Sequence, residues 1–161
     1  MTMRLIETSL QSLPLNIVEA LRQLGARYGI SLNLSDANTC RLIFGSNTVV
    51  DIETTDPQST SVVLHGLVGV VPLGGREPVY ELLLEANLFG RGTSGSVLAL
   101  DVEQNEIILH RTLDLRAMTF GELKDVVETF AAEVKGWTER LVRPPSAETA
   151  AVQVDDTFVR V

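Results

Sequence analysis

The stretch PVYELLLEANLFGRGTSGSVLALDVEQNEIILHRTL, residues 78–113, decides the fold. It contains a literal G-x-G-x-x-G at Gly90, Gly92 and Gly95. In dinucleotide-binding proteins that pattern follows a strand and opens a helix, so that the helix N-terminus meets the pyrophosphate. Here the order is reversed. A helical segment over about 78–89 runs into the glycines, and the strand SVLALDVE (96–103) leaves them. A phosphate placed there would face a helix C-terminus, whose partial charge is negative. The glycines therefore read as a helix stop and a mobile loop into a strand. A turn at Gln104-Asn105 then joins that strand to EIILHRTL (106–113) as a hairpin.

Working outward, Ile17, Val18, Leu21, Leu24 and Tyr28 form one stripe of a helix over about 15–28. Pro14 suits its first turn and Gly29 its stop. The pattern leaves open whether residues 3–12 form another helical turn. ISLNL (30–34) alternates as a strand does. CRLIF (40–44), a Gly45-Ser46-Asn47 turn and TVVDIE (48–53) predict a second hairpin. TSVVLHGLVGVV (60–71) is a long β-branched run interrupted by Gly66 and Gly69, which predicts a bent or bulged strand. Downstream, Thr119 and Glu122 form a T-x-x-E capping box. Phe120, Leu123, Val127, Phe130, Val134, Trp137 and Leu141 then repeat at helical spacing to about residue 141. The order is α-β-β-β-α-β-β-α, an α+β domain with helices packed on an antiparallel twisted sheet. That domain spans 1–143. Pro144-Pro145 opens a flexible tail over 144–161, with a short strand at TFVRV.

The chain has 161 residues, 45% of them hydrophobic, and a net charge of −8, so it can bury a core and its surface repels phosphate backbones. Nucleic-acid binding and membrane insertion are not expected: aromatics are 5% of residues, and no apolar run approaches ~18 residues. The first residues, MTMRLIETSLQSLPL, show no secretory signal, and cytosol is the default compartment. One cysteine, Cys40, permits no internal disulfide and no cysteine-based zinc site. His65 and His110 lack a carboxylate or second histidine at metal-ligand spacing. Cys40 lacks the helix N-terminus that would activate a thiol. Asp51/Glu53 and Asp101/Glu103 sit at i, i+2 on strands, where solvated carboxylates are common. Neither an enzyme nor a cofactor is expected.

The informative anomaly is surplus apolar surface. On the helix over 78–89, Val79, Leu82, Leu83, Ala86 and Phe89 fill one arc, and Tyr80, Leu84 and Leu88 fill a second. A surface helix needs one apolar stripe of ~100°. The following strand is apolar on both faces at Val97, Leu98, Ala99, Leu100 and Val102, where an outer strand should alternate. Burying one large aliphatic side chain is worth ~1.5–3 kcal/mol. Several of them, counted twice across a two-fold axis, predict a homodimer built on Tyr80, Leu84, Leu88, Val97, Leu98 and Leu100.

With those features in place, the stretch from Leu82 to Leu141 resembles the type III secretion chaperones of the CesT (Tir chaperone) family. The residues that carry the resemblance are LLLEANLF, GSVLALDVEQNEIILHRTL and MTFGELKDVVETFAAEVKGWTERL. The tail beyond Pro144-Pro145 and the character of the N-terminus point within the family toward general, multi-effector export-control chaperones of the HpaB kind. The resemblance implies a cytoplasmic, non-enzymatic homodimer. It would bind the N-terminal segment of secreted effectors in extended form, keep them secretion-competent and deliver them to the export ATPase. An extended client can add to a sheet edge and drop side chains into apolar pockets. The candidate surface for this is Leu21 and Leu24 on the first helix, Ile30, Leu32 and Leu34, and Leu42 and Phe44. The alternative is a small-ligand-binding or regulatory α+β domain, which would show a closed pocket with convergent polar groups.

Overall fold

The structure, a computed structural model, describes residues 15–142. The sequence-based readings of residues 3–12, of the tail over 144–161 and of its TFVRV strand lie outside the described residues. The elements run α1 (Ile17–Tyr28), β1 (Thr39–Phe44), β2 (Thr48–Thr54), β3 (Ser61–Val70), α2 (Arg76–Asn87), β4 (Val97–Asp101), β5 (Glu106–Asp114) and α3 (Phe120–Val142). Single 3-10 turns at Leu88–Gly90 and Leu115–Ala117 flank the β4–β5 hairpin. This is the α-β-β-β-α-β-β-α order read from the sequence.

The five strands form one antiparallel sheet in the order β1-β2-β3-β5-β4. Strand alternation divides it into two faces. Cys40, Leu42, Val50, Ile52, Val62, Leu64, Leu98, Ile107, Leu109 and Leu113 point to one face and are all buried. Ile17 and Leu21 of α1, Val79, Leu82, Leu83 and Ala86 of α2, and Leu123, Val127, Phe130, Val134 and Trp137 of α3 complete the same core. The expected bulge falls in β3, where the register with β5 shifts between Leu67 and Gly69. The two glycines of that strand serve packing. A Cβ on Gly66 would meet the Val134 Cγ2 methyl at 2.8 Å and the Val49 carbonyl oxygen at 3.0 Å, so α3 rests directly on the backbone there.

The helix ends behave as their sequences require. The Asn16 side chain accepts from the Glu19 N–H at 3.0 Å and caps α1. Gly29 stops that helix at φ 70, and the Ile30 N–H returns to the Gly25 carbonyl at 2.9 Å. The capping box of α3 is formed: the Thr119 N–H donates to Glu122 Oε2 at 2.7 Å, and the Glu122 N–H donates to Thr119 Oγ1 at 3.3 Å. The Thr119 N–H, and after it the Thr119 hydroxyl, both donate to that carboxylate and hold it below the usual carboxylate range.

Two sequence-based readings need correction. Residues 30–34 alternate like a strand but form none; they run as a loop beside β1. The reason lies at Gly25, where a Cβ would meet the Ile30 carbonyl oxygen at 2.5 Å. The segment is packed across the end of α1, out of register with the sheet. The glycine loop is also pinned rather than loose. Trp137 Nε1 donates to the Gly92 carbonyl at 3.2 Å, Ser96 Oγ to Glu133 Oε2 at 2.8 Å, and Thr93 Oγ1 to the Ser96 carbonyl at 2.5 Å.

Because Gly66 abuts both a side chain and a backbone oxygen, Gly66→Val is expected to overpack the β3–α3 contact and cost roughly 1–3 kcal/mol. A urea midpoint unchanged from the parent would show that α3 does not rest on that strand as described.

Candidate functional site

An apolar groove of about 780 Å³ opens between α1 and the 30–34 loop. Leu21 forms its floor, and Val18, Ala26, Ile30, Leu32, Leu34 and Pro57 are among the residues that line it. Val18 is 53% exposed and Ile30 54%, so the groove presents hydrocarbon to solvent. Its one charged lining residue is Arg22, which grips Glu19 through two bonds of 2.8 and 2.7 Å. The Arg22 hydrogen bonds, with help from Gln23, hold the Glu19 carboxyl down at about 2. The groove is therefore an open, greasy trough with one cation at its lip.

The sequence-derived client surface divides once burial is known. Ile30 is exposed, and Leu32 and Leu34 are half-buried along the groove. Leu21 is buried but reaches the groove floor. Leu24 and Leu42 are corrected to core: Leu24 has no exposed surface, and Leu42 points into the sealed face of the sheet against Val50. Phe44 is half-buried and sits away from the groove, edge-on to Tyr28 at 6.4 Å between ring centroids.

A second apolar surface lies where α2 meets β4, a strand at the edge of the sheet. Leu84 is 72% exposed, Leu88 50% and Phe89 84%, and Val97, Leu100 and Val102 are exposed as well. Tyr80 is half-buried. Leu98 is corrected to core, because it faces inward beside Leu109. Phe89 also departs from expectation. The helix ends at Asn87, and Phe89 takes a left-handed φ of 55 that swings its ring away from the arc of Val79 and Leu82. Its ring carries the Arg91 guanidinium at 5.5 Å.

Asn87 sets that geometry. Its Nδ2 donates to the Leu98 carbonyl and its Oδ1 accepts from the Leu98 N–H, both at 2.9 Å. One carboxamide thus pairs both outward backbone groups of an edge-strand residue, as a neighbouring strand would. The Asn in LLLEANLF carries this role, and residue pattern alone left it unexplained.

The face of the sheet opposite the helices remains open. Ile43, Leu67 and Val97 are exposed on it, and Arg41 and Asp51 pair there through two bonds of 2.8 Å. Arg41 holds the Asp51 carboxyl below its ordinary value. His65 and His110 are neighbours across β3 and β5. His65 Nε2 lies 3.3 Å from Glu53 Oε2 but off the line of a hydrogen bond. Cys40 is buried, and burial, followed by the Asp51 charge, pushes its thiol up and away from the thiolate. Among the described residues, no three His, Cys, Asp or Glu converge as metal ligands, and no helix is long and apolar enough to cross a membrane.

Comparison with known proteins now places the chain. The Tir chaperone protein (CesT) family profile matches residues 19–138, most of the domain just described. The chain belongs to the CesT family, the chaperones of type III secretion. Solved structures share its fold at low identity. The ExsC–ExsE complex matches with a TM-score of 0.66 and 15% identity, over 83% of this chain and 100% of that one. The HopA1–SchA chaperone–effector complex matches with a TM-score of 0.60 and 17% identity, over 76% and 92%. The ExoU–SpcU heterodimeric complex, from the type III secretion system of Pseudomonas aeruginosa, matches with a TM-score of 0.57 and 20% identity, over 78% and 94%. Among curated proteins, none matches the chain in sequence.

The α2–β4 seam of this CesT domain makes a direct prediction. Asn87→Ala strands the N–H and C=O of buried Leu98 and is expected to cost about 1–3 kcal/mol. Glu85→Ala, on the same helix but exposed, should stay within about 0.5 kcal/mol of the parent. Equal urea midpoints for the two variants would remove Asn87 from its assigned role.

Proposed function

We propose that this CesT-family chaperone works as a homodimer that holds the N-terminal segment of secreted effectors in extended form. Family membership supports the class, and the open trough between α1 and residues 30–34 carries the reading of how a client is gripped. The described residues already form a closed core on the other side of α1, and the trough lies outside it. Apolar side chains of an extended guest gain transfer energy there, while its backbone stays available to a sheet edge. The relatives support the reading by analogy: one is a chaperone–effector complex, and another a complex from a type III secretion system. A chaperone of this kind would act in the cytoplasm, perform no chemistry and hand its client to the export ATPase. The residues beyond Pro144 would lie outside the client-gripping domain.

The dimer reading rests on Leu84, Leu88, Phe89, Val97 and Leu100. Association costs some 4–15 kcal/mol in lost freedom. These five side chains are 36–84% exposed, so burying the remainder on both subunits recovers about 9–17 kcal/mol, the same order as that cost. Leu98 contributes from inside, as core beneath the contact. A small-ligand site is less well supported, because the trough is open and its polar lining is bonded within the protein, Arg22 to Glu19 and Asn33 to Ser31.

Leu84→Asp is expected to halve the mass seen by light scattering at micromolar concentration while the circular dichroism stays native. A parent protein that already runs as a stable single chain would end the dimer reading.

Ile30→Asp places a charge in the trough without touching the core. Affinity purification from secretion-active cells should then lose the effectors that co-elute with the parent, and the dimer should persist. Undiminished effector recovery would move the grip elsewhere on the surface.

A further inference from the structure

His65 and His110 are far apart in sequence, but strand register brings them together. They stand directly opposite each other across β3 and β5, on the open face of the sheet, and both are half-buried. Opposite residues of an antiparallel pair hold their Cβ atoms about 4.5–5.5 Å apart, within reach of two imidazole rings. Glu53 reaches the same spot from β2, where its register partner on β3 is Val63, beside His65 on that face.

One atom of this group is out of balance. His65 Nε2 is sealed from solvent and has no hydrogen-bond partner among the described residues. An enclosed, unpaired nitrogen is costly and calls for a ligand of its own. Glu53 Oε2 lies 3.3 Å away, off the line of a hydrogen bond. That separation fits a different arrangement: two ligands about 2.1 Å from one tetrahedral ion stand roughly 3.4 Å apart. Asp51, the neighbouring carboxylate, is not available for the role, because Arg41 takes both of its oxygens.

We propose that His65, His110 and Glu53 form a binding site for a zinc-like divalent ion on the open face of the sheet. Glu53 and His65 already stand at ligand spacing, and the His110 ring has to turn toward them to complete the set. Two imidazoles and one carboxylate suit zinc and its transition-metal neighbours, whereas magnesium and calcium take oxygen ligands. The net charge of −8 favours any cation that approaches. The bound ion would tie β2, β3 and β5 together on the face the helices leave uncovered. An unfolded chain does not hold these three side chains together, so binding would stabilise the fold. The site lies apart from the α1 trough and the α2–β4 surface, and it depends on neither the client reading nor the dimer reading.

The chain has two histidines in all, so each imidazole can be followed individually by NMR. Titrating the full chain with zinc chloride should move the ring signals of both, in step, and saturate at one ion per chain. Magnesium chloride at the same concentration should move neither. In calorimetry with zinc, His110→Ala should weaken binding by no less than the roughly tenfold that loss of an outer-shell partner costs. Zinc that shifts one ring alone, or neither, would overturn the proposal. So would undiminished zinc binding by the double variant His65→Ala/His110→Ala. The NMR reading needs no substitution, so it decides the question even where a variant fails to fold.

Discussion

A five-stranded sheet has two faces and two edges, and three helices on one side can close only one of those faces. Everything else about this molecule follows from where that shortage falls. α1, α2 and α3 share one core, and the strand residues that enter it come from a single face. What remains is an open face, the edge at β1, the edge at β4 and the outer surfaces of α1 and α2. The chain treats these leftovers differently. The open face carries the paired Arg41 and Asp51 and the neighbouring histidines among its apolar side chains. The outer sides of α1 and α2 are left apolar, which is costly unless something covers them.

The edge at β4 shows how the fold limits what can cover it. An exposed edge strand pairs readily with any other strand. Asn87 occupies both outward groups of Leu98 and so removes the middle of β4 from such pairing. The same contact anchors the end of α2, and the chain then reverses through Phe89 and Gly90, both left-handed. The Gly92 N–H donates to the Ala86 carbonyl at 3.0 Å and its own carbonyl accepts from Trp137, so the loop is held between two helices. The resemblance to a phosphate-binding motif is thus a packing solution. Gly90 and Gly95 supply positive φ, and Gly92 supplies close approach. The side chains offered by this region are Leu84, Leu88 and Phe89 on a braced support, which suits a partner with a fixed surface better than an adaptable one.

Much of this was legible in the sequence because periodicity and local chemistry agreed. The capping box at Thr119, the stop at Gly29, the β4–β5 hairpin and the stripe of α3 each rest on neighbours within a few residues. The failures share a cause. Residues 30–34 alternate like a strand, but strand pairing is a long-range contact, and the Gly25 crossing takes that backbone elsewhere. Leu24, Leu42 and Leu98 have the same composition signal as Leu32 and Leu84. Which of two apolar faces turns inward depends on the helix rotation and sheet register, and neither is encoded in one element alone. Val18 went the other way: it belongs to the α1 stripe by spacing, yet it lies at the stripe's margin and faces the trough. Asn87 left no pattern at all, because its partner is a backbone eleven residues away.

The acidity of the chain completes the account. Exposed leucines, an exposed phenylalanine and an open trough would make a neutral protein of this size prone to aggregate. A net charge of −8 lets copies repel at long range while apolar contacts act only at short range. The balance favours partners that can align a particular surface over those that merely collide. An extended polypeptide can thread into a trough one side chain at a time, gaining contact before it must bring its own bulk close. A folded protein cannot. Under the proposed function, that repulsion would disfavour a folded acidic partner more than an extended guest.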